Sequence, residues 1–495
     1  MFRDIITMLV NSFPDAYPVP FRLVTIFAFM YNIPMSIADN YRFVEEIEKY
    51  LSDEVPVKLG VNKKNELVRL IYEISRGRGL GLREAVETLR IKETVEEGKG
   101  GLFHRLKTTF LKTRYPSLSG DEDPHIMPVK IGPSREACPV WDFTLAPRRI
   151  FVEKKVEGLK WTGNFLKHFP ASEVVVINDL KDGLGRAGRD DPVKLYNERR
   201  ENIFLAANRT DFIKICPCTR DCNRCGYWIL NIGFGCPVDC AYCYLQLYSN
   251  APGIILTANI EDYYKPIEEL DRKTRKRIRI GTGEFTDSLA FDKYTGYSSS
   301  LIPFFGKARN LVLELKTKIS GIDNVLRETP NPNTVISWSM NTRGIADKYE
   351  KGASGIGERI DAARRAAERG YRIGFHFDPI VYYRGWEDEY RAVVDEIFSY
   401  GEIRRAAAWI SLGTLRYTPG LKQAAEQRFE ENGIYYEGEF FADIDGKLRY
   451  PRQLRAEMYN KMAGWIGRRV PGCWVYLCME PEEVWEKTGL TRREY

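Results

Sequence analysis

Three cysteines fall within eight residues of the segment GFGCPVDCAYCYLQLYSN, residues 233–250, at Cys236, Cys240 and Cys243. Thiolates are soft ligands suited to iron and zinc. The C-x3-C-x2-C spacing fits no structural zinc pattern, which pairs short C-x2–4-C steps into four ligands. It fits a [4Fe–4S] cluster, whose irons ordinarily take four Cys thiolates. With three cysteines, one iron stays open to an outside ligand. S-adenosylmethionine (SAM) supplies one through its amine and carboxylate. An electron passed from the cluster into the sulfonium then breaks a C–S bond and releases a 5′-deoxyadenosyl radical. The protein's task becomes binding and positioning. Tyr242, between the second and third cysteines, is suited to pack beside the adenine.

A second group precedes the first. CPCTRDCNRCGYW places Cys216, Cys218, Cys222 and Cys225 within ten residues. Such a set can bind zinc or hold an auxiliary iron–sulfur cluster, although C-x-C-x3-C-x2-C is tight for one tetrahedral site. Free structural thiols and a disulfide remain alternative readings. Cys138 stands alone and reads as a small buried residue.

The elements that must hold these residues are legible in the periodicity. Residues 1–115 read as a helical domain, with apolar residues every three to four positions in NYRFVEEIEKYL and KNELVRLIYEISRG. Asn40 and Asn65 are candidate caps and Gly77 a candidate helix end. The polar, Pro-containing stretch 116–147 reads as a linker. Residues 148–215 form a small α/β segment. In it RRIFVEKKV, SEVVVINDL and RENIFLAANR are strands, the second of them buried, and GLKWTGNFLKHF is a helix. WILNIGFG reads as the strand leading into the cysteine loop.

From 216 to 450 strands and helices alternate. KRIRIGTGE, ARNLVLELKTK, NTVISWSMN, YRIGFHFDPI and AAAWISLGTLRY are the strands; SSSLIPFFGKA, GERIDAARRAAERG and WEDEYRAVVDEIFSYG are helical. That repeat predicts a parallel sheet closed, or partly closed, into a (β/α) barrel with its function at the strand C-termini. Thr282, Glu284, Thr317, Lys318, Ser339, Asn341, Asp378 and Thr414 fall there. Residues 451–495 are expected to pack on the barrel as a C-terminal segment.

The 495 residues, 44% hydrophobic, suffice for two or three domains. Lys+Arg 74 against Asp+Glu 68 gives +6, a balance that permits nucleic-acid binding without arguing for it. No apolar run has the length of a membrane span, and the first residues carry no secretory pattern. The expectation is a cytoplasmic protein with no membrane partner, in a compartment where clustered cysteines are ligands or catalytic groups rather than disulfides.

Several features have an ordinary reading. His376 is as consistent with a core histidine as with a substrate contact. The basic run RKTRKRIR, 272–279, reads first as a solvated helix face and second as a phosphate patch. GRAGR, 185–189, lacks the Lys-Ser/Thr end of a phosphate loop, and GASGIGER, 352–359, is a loop and helix start. Tyr382, Tyr383 and Trp386 can stack on a base or cap the barrel.

GCPVDCAYCYLQ, followed by GTGEFTDSLAFD, LELKTK, VISWSMN, GYRIGFHFDPIVYYRGWEDEY and YLCMEPEEVW, resembles the spore photoproduct lyase family of radical SAM enzymes and its DNA repair photolyase relatives. The resemblance covers residues 148–485. It implies a radical SAM-type partial barrel with Cys236, Cys240 and Cys243 on the cluster and Tyr242 near the adenine. Gly283 and Glu284 would hold the SAM amine, and Lys318 and Ser339 its carboxylate and ribose. Asp378, at a strand end where the lyases have a small residue, is a further candidate for the cofactor site. Lys316 is the alternative to Lys318, since a two-residue offset keeps the same strand face. Tyr244 matches a tyrosine that takes part in radical return. A reductant such as flavodoxin or ferredoxin is implied, with DNA or another nucleic acid as partner.

The sequence departs from the family at one point. The lyases return hydrogen from a cysteine beyond the cluster, and GTGEFTDS has none. No cysteine occurs between Cys243 and Cys473. Hydrogen return then falls to Tyr244 or another tyrosine, to Cys473 or Cys478, or the chemistry differs. The substrate is read as a nucleobase or DNA lesion. The alternatives are a peptide, a tRNA base or a small metabolite, and, from another class, a non-catalytic iron–sulfur or zinc protein that binds nucleic acid.

Overall fold

The computed structural model describes residues 37–118, 145–187, 192–207, 212–218, 222–248 and 251–490, together with 124, 126, 127 and 129. Cys138 and most of the expected linker lie outside them. The chain divides into two units, one of Met1–Ser117 with Ile126–Val129, the other of Leu118–His125 with Lys130–Tyr495.

The described part of the first unit is helical: α1 (Ile37–Glu54), α2 (Val61–Arg78), α3 (Leu82–Thr88), α4 (Ile91–Glu96) and α5 (Leu102–Arg114). Asn40 and Asn65 lie inside α1 and α2 and do not cap them. Asn40 is buried and accepts from the Tyr72 hydroxyl at 3.2 Å. Helix α2 runs past Gly77 and ends at Gly79, whose φ of 65° is the left-handed C-cap conformation.

In chain order the strands of the second unit begin with β1 (Arg149–Glu153), β2 (Glu173–Ile177), β3 (Asn202–Ala206), β4 (Ile213–Ile215), β5 (Trp228–Leu230) and β6 (Gly233–Phe234). They continue with β7 (Asp239–Cys240), β8 (Ile254–Thr257), β9 (Ile278–Gly281), β10 (Leu311–Thr317), β11 (Thr334–Ser339) and β12 (Glu350–Lys351). The last are β13 (Arg372–Ile380), β14 (Ala407–Thr414), β15 (Arg416–Tyr417), β16 (Phe441–Ala442), β17 (Leu448–Arg449) and β18 (Trp474–Leu477).

The main sheet has the order β18-β14-β13-β11-β10-β9-β5-β4. All its neighbours are parallel except β4 against β5. Helices such as Tyr297–Phe305, Ile356–Arg369 and Trp386–Ile397 fill the crossovers, as parallel pairing requires. Strand β11 is buried along its whole length, the pattern of a sheet covered on both faces. The sheet is a curled partial barrel, and side chains tie its far strands together across the interior. Arg279 on β9 donates to the Tyr476 hydroxyl on β18 at 2.8 Å. Its guanidinium lies over the rings of Tyr227, Trp409, Trp474 and Tyr476 at 4.6–5.4 Å. The last arginine of the basic run is therefore a core residue, since Arg279 is fully buried.

A second sheet has the order β2-β1-β3-β8-β6. Two sequence expectations change here. Strand β2 is an edge, with Val174 and Val176 47% and 43% exposed, so its apolar run is not a buried one. WILNIGFG is not one strand: β5 belongs to the barrel and β6 to the second sheet, where it runs antiparallel to β8. Strand β8, from GIILT, is an element the sequence reading missed. A Cβ on Gly233 would lie 2.8 Å from the Ile255 carbonyl, so β6 and β8 meet only because that residue is glycine.

Candidate functional site

The loop Cys236–Cys243 follows Gly235, whose φ of 98° suits glycine alone. Its carbonyls are satisfied from outside. Arg199 Nε donates to Cys236 O at 3.0 Å and Nη2 to Val238 O at 3.3 Å. Gln246 Nε2 reaches Cys240 O, Ala241 O and Cys243 O at 3.1–3.2 Å, and the Tyr435 hydroxyl reaches Ala241 O at 2.9 Å. Buried Asp239 is paired with Arg428 at 2.6 Å and Arg199 at 3.4 Å. Strand β7 pairs antiparallel with β12, Cys240 opposite Glu350. With the backbone so engaged, the cysteine side chains share one apolar patch. Cys240 sits with Val238, Ala290 and Ile319, and Cys236, Tyr242 and Cys243 pack against them.

Burial raises all three thiols, and the Cys243 charge beside Cys236 and Cys240 adds to the effect. Three thiolates share such a pocket only when a metal supplies positive charge. Among the described residues no group of His, Cys, Asp or Glu is arranged round a single ion. A cluster makes a different demand, because each thiolate takes a different iron and the ligands stand further apart. Three free cysteine sulfurs on one loop, packed in one apolar patch, fit that donor set.

Tyr242, Lys318 and Ser339 are brought together by a pair the sequence reading missed. The Tyr242 hydroxyl donates to Glu350 Oε1, which also accepts from Lys318 Nζ at 2.7 Å. Lys318 Nζ lies 2.9 Å from the Tyr242 oxygen. Arg359 Nη2 reaches Glu350 Oε2 at 2.5 Å, and its Nη1 reaches Ser339 O at 2.9 Å. Burial alone would raise the Glu350 carboxyl, but Arg359 and Lys318 hold it well below the usual carboxylate range. No spacing in the sequence marks this pair, which lies on the crossover between β11 and β13.

At the mouth of the barrel, Glu284 Oε1 accepts from the Tyr244 hydroxyl at 3.0 Å. A Cβ on Gly283 would lie 3.0 Å from Lys316 O, so the glycine allows β9 and β10 to close there. Asp287, quoted in GTGEFTDS but given no role, organises this turn. It accepts from Leu289, Ala290 and Lys318 N–H groups at 2.7–2.9 Å and from Thr317 Oγ1 at 2.7 Å.

Other expected site residues sit elsewhere. Asp378 is taken in a two-bond pair by Arg416, at 2.9 and 3.1 Å, apart from the Tyr242–Lys318 group. Cys478 follows β18 at the mouth, 3.7 Å from Arg416 Nη2. Cys473 precedes β18, and Arg372, which opens β13, is the charge that acts on it. It lies at the N-terminal end of β18, whereas Cys478 follows the strand's C-terminal end. Cys216 and Cys218 are 3.6 Å apart, whereas Cys222 donates to Met479 O at 3.3 Å in a neighbourhood of Arg449, Asp445 and Glu480. The four upstream cysteines therefore do not share one pocket. His376 is a core residue bound to Glu314 at 2.7 Å. Trp386 packs on Tyr390 and Trp465, and the Tyr383 hydroxyl bonds Thr342 and Glu389, which matches the capping role.

A family model described as spore photoproduct lyase matches residues 221–441. The spore photoproduct lyase of Clostridium acetobutylicum is 24% identical over 250 residues, 50% of this chain and 72% of that protein. That of a Geobacillus species is 27% identical over 265 residues, 50% and 75% of the two chains. Over these spans the chain is similar to the spore photoproduct lyase family of radical SAM enzymes. A solved spore photoproduct lyase complexed with dinucleoside spore photoproduct has the same fold, at TM-score 0.59 and 21% identity over 68% of this chain and 99% of that one. The comparisons support a radical SAM enzyme with a [4Fe–4S] cluster and SAM as its cofactors. Among the described residues no helix is long and apolar enough to cross a membrane.

Proposed function

We propose that this enzyme abstracts hydrogen from a nucleobase of a DNA lesion, with Cys236, Cys240 and Cys243 holding the cluster. The observation that carries the reading is the convergence of the three cysteines and Tyr242 on one apolar patch, with the Lys318–Glu350 pair bonded to Tyr242. When bound, the reduced cluster and SAM supply a 5′-deoxyadenosyl radical. The chain's own groups do the positioning. Lys318, its ammonium anchored by Glu350, would meet the SAM carboxylate, and Glu284 would accept from the SAM amine. Tyr244, held on Glu284, is the residue we assign to hydrogen return.

Spore photoproduct is the substrate named in solved relatives, and dinucleoside spore photoproduct is the probe for this chain. Anaerobic protein reconstituted with iron and sulfide, given dithionite, SAM and the probe, is expected to form 5′-deoxyadenosine and thymine product. Cys240→Ala is expected to abolish both. Tyr244→Phe is expected to keep 5′-deoxyadenosine formation while the yield of repaired product falls at least tenfold. No 5′-deoxyadenosine from fully loaded protein would refute the enzyme assignment. 5′-Deoxyadenosine without probe turnover would move the assignment to a different substrate. The absence of a cysteine in residues 281–288 is the observation that favours this second reading.

A further inference from the structure

Glu314 on β10 marks the inward face of the barrel. It accepts from Ser337 Oγ at 2.6 Å and Trp409 Nε1 at 2.9 Å, and it pairs with His376 across β11 at 2.7 Å. Side chains alternate along a strand, so Lys316, two residues on, faces the same interior one step nearer the mouth. It stands beside Gly283: a Cβ built on that glycine would lie 3.1 Å from the Lys316 Cβ. A second lysine reaches the same turn. Lys214 on β4 is in register with Ile229, Ile229 with Gly281, and Gly281 with Glu314. Residues in register share a face, so Lys214 also points inward. Its ammonium lies over the Phe285 ring at 4.5 Å. The two lysines flank the Gly283–Phe285 turn, which carries Glu284.

Neither ammonium has a hydrogen bond or ion pair among the described residues. The carboxylates of Glu284, Glu314 and Asp378 outweigh burial and raise the Lys316 pKa, so this lysine keeps its charge. Each of the three is nonetheless committed to another donor. Glu314 is held by His376, Asp378 by both arms of Arg416, and Glu284 accepts from Tyr244. Lys318, the lysine assigned to the SAM carboxylate, belongs to a different group, with Glu350 and Tyr242. A half-buried ammonium without a partner is costly, and an anion that enters with the substrate removes the cost. Two point charges at one turn suit a phosphate, whose oxygens accept from several donors at once. We propose that Lys316 and Lys214 bind the phosphodiester that links the two nucleotides of the lesion. The substrate is then a dinucleotide or a longer strand, not a free base or nucleoside. This rests on the DNA-lesion reading above. A phosphate held at this turn sets the adjoining base beside Glu284 and Tyr244.

The test compares two probes that carry the same lesion. Dinucleoside spore photoproduct lacks the linking phosphate, and dinucleotide spore photoproduct has it. Each is titrated by calorimetry into the reconstituted full chain, loaded with SAM and given no reductant, so that nothing turns over. The wild type is expected to bind the dinucleotide at least about tenfold more tightly, the effect of hydrogen bonds to a charged group. In Lys214→Gln/Lys316→Gln the ratio of the two affinities should fall to within about twofold of one. Both probes meet the same protein, so the ratio is independent of cluster loading. Lys316→Arg, which keeps the charge, should keep most of the preference. Equal binding of the two probes by the wild type overturns the proposal and leaves the DNA-lesion reading standing. A preference that survives in the double variant overturns it too. So does a loss of SAM affinity of about tenfold in Lys316→Gln with the preference intact, which assigns that lysine to the SAM carboxylate. Binding of neither probe refutes the DNA-lesion reading itself, and the proposal falls with it. Should the double variant fail to fold, Lys214→Gln alone serves, and an undiminished ratio in it is equally decisive against the proposal.

Discussion

Glu350 carries two cations and a phenol on one buried carboxylate, and the proposed contact of Lys318 with SAM depends on it. Replacing it with glutamine leaves Arg359 and Lys318 facing each other without a counter-charge. Breaking a buried pair in this way costs about 3–5 kcal/mol. Glu350→Gln is expected to lose that amount of unfolding free energy in urea titrations and to bind SAM about tenfold more weakly, with unchanged iron content. Wild-type SAM affinity in a folded variant would remove Glu350 from this role. A second buried carboxylate gives a pH signature. Burial would raise Glu314, but His376 and Arg279 beside it, with a hydrogen bond from Ser337, bring it well below the usual range. Its folded-state pKa is lower than the unfolded value of about 4.3. Its contribution is therefore complete above that value and is lost as the pH falls below it. Glu314→Gln is expected to be less stable at pH 7 and to lose less stability than wild type between about pH 5 and 3. Parallel stability curves would assign the acid limb to other groups. His376 in the sequence was evenly balanced between core and substrate, and only its 2.7 Å contact with Glu314 decides for the core.

Strand β9 shows how tightly the barrel is packed where it approaches the mouth. A Cβ on Gly281 would lie 1.5 Å from the Tyr227 hydroxyl oxygen, and Tyr227 is buried. Overpacking of a filled core costs about 1–3 kcal/mol or more. Gly281→Ala is expected to lower the thermal midpoint by several degrees, and adding Tyr227→Phe should recover part of the loss. A midpoint equal to wild type would show that β5 and β9 can separate. The long strands β10, β11, β13 and β14 were legible because parallel, doubly covered strands read as continuous apolar runs. The short ones were not. Strands β5 and β6 come from one apolar run, WILNIGF, and Asn231 and Ile232 carry the chain from one sheet to the other. That switch depends on which sheet has an open edge, which no local pattern reports. Strand β2 failed in the opposite sense: its valines are β-formers, but they stand on an edge with one face uncovered.

At the scale of the whole molecule, the net charge of +6 is modest, and few phosphate contacts are expected. Binding of a single-stranded DNA 12-mer should weaken about tenfold between 50 and 200 mM salt, the response of two or three phosphate contacts at a slope of about −0.7 each. Affinity that ignores salt would argue for a small-molecule substrate. The sequence alone determined the chemistry at the cluster loop. Three thiols at C-x3-C-x2-C lie on one short segment, and local spacing is enough to bring them to one apolar patch. The succession of strands and helices was determined in the same way, because periodicity is a local property. Tertiary structure decided everything that required distant segments to meet. It chose Glu350 and Arg359 as supports of Tyr242 and Lys318, placed Cys473 at the N-terminal end of β18, and set Cys222 on the carbonyl of Met479, away from the Cys216–Cys218 pair. Those outcomes depend on how far a sheet curls and which side of a loop faces it. These are properties of packing across hundreds of residues, and no residue type or spacing encodes them locally.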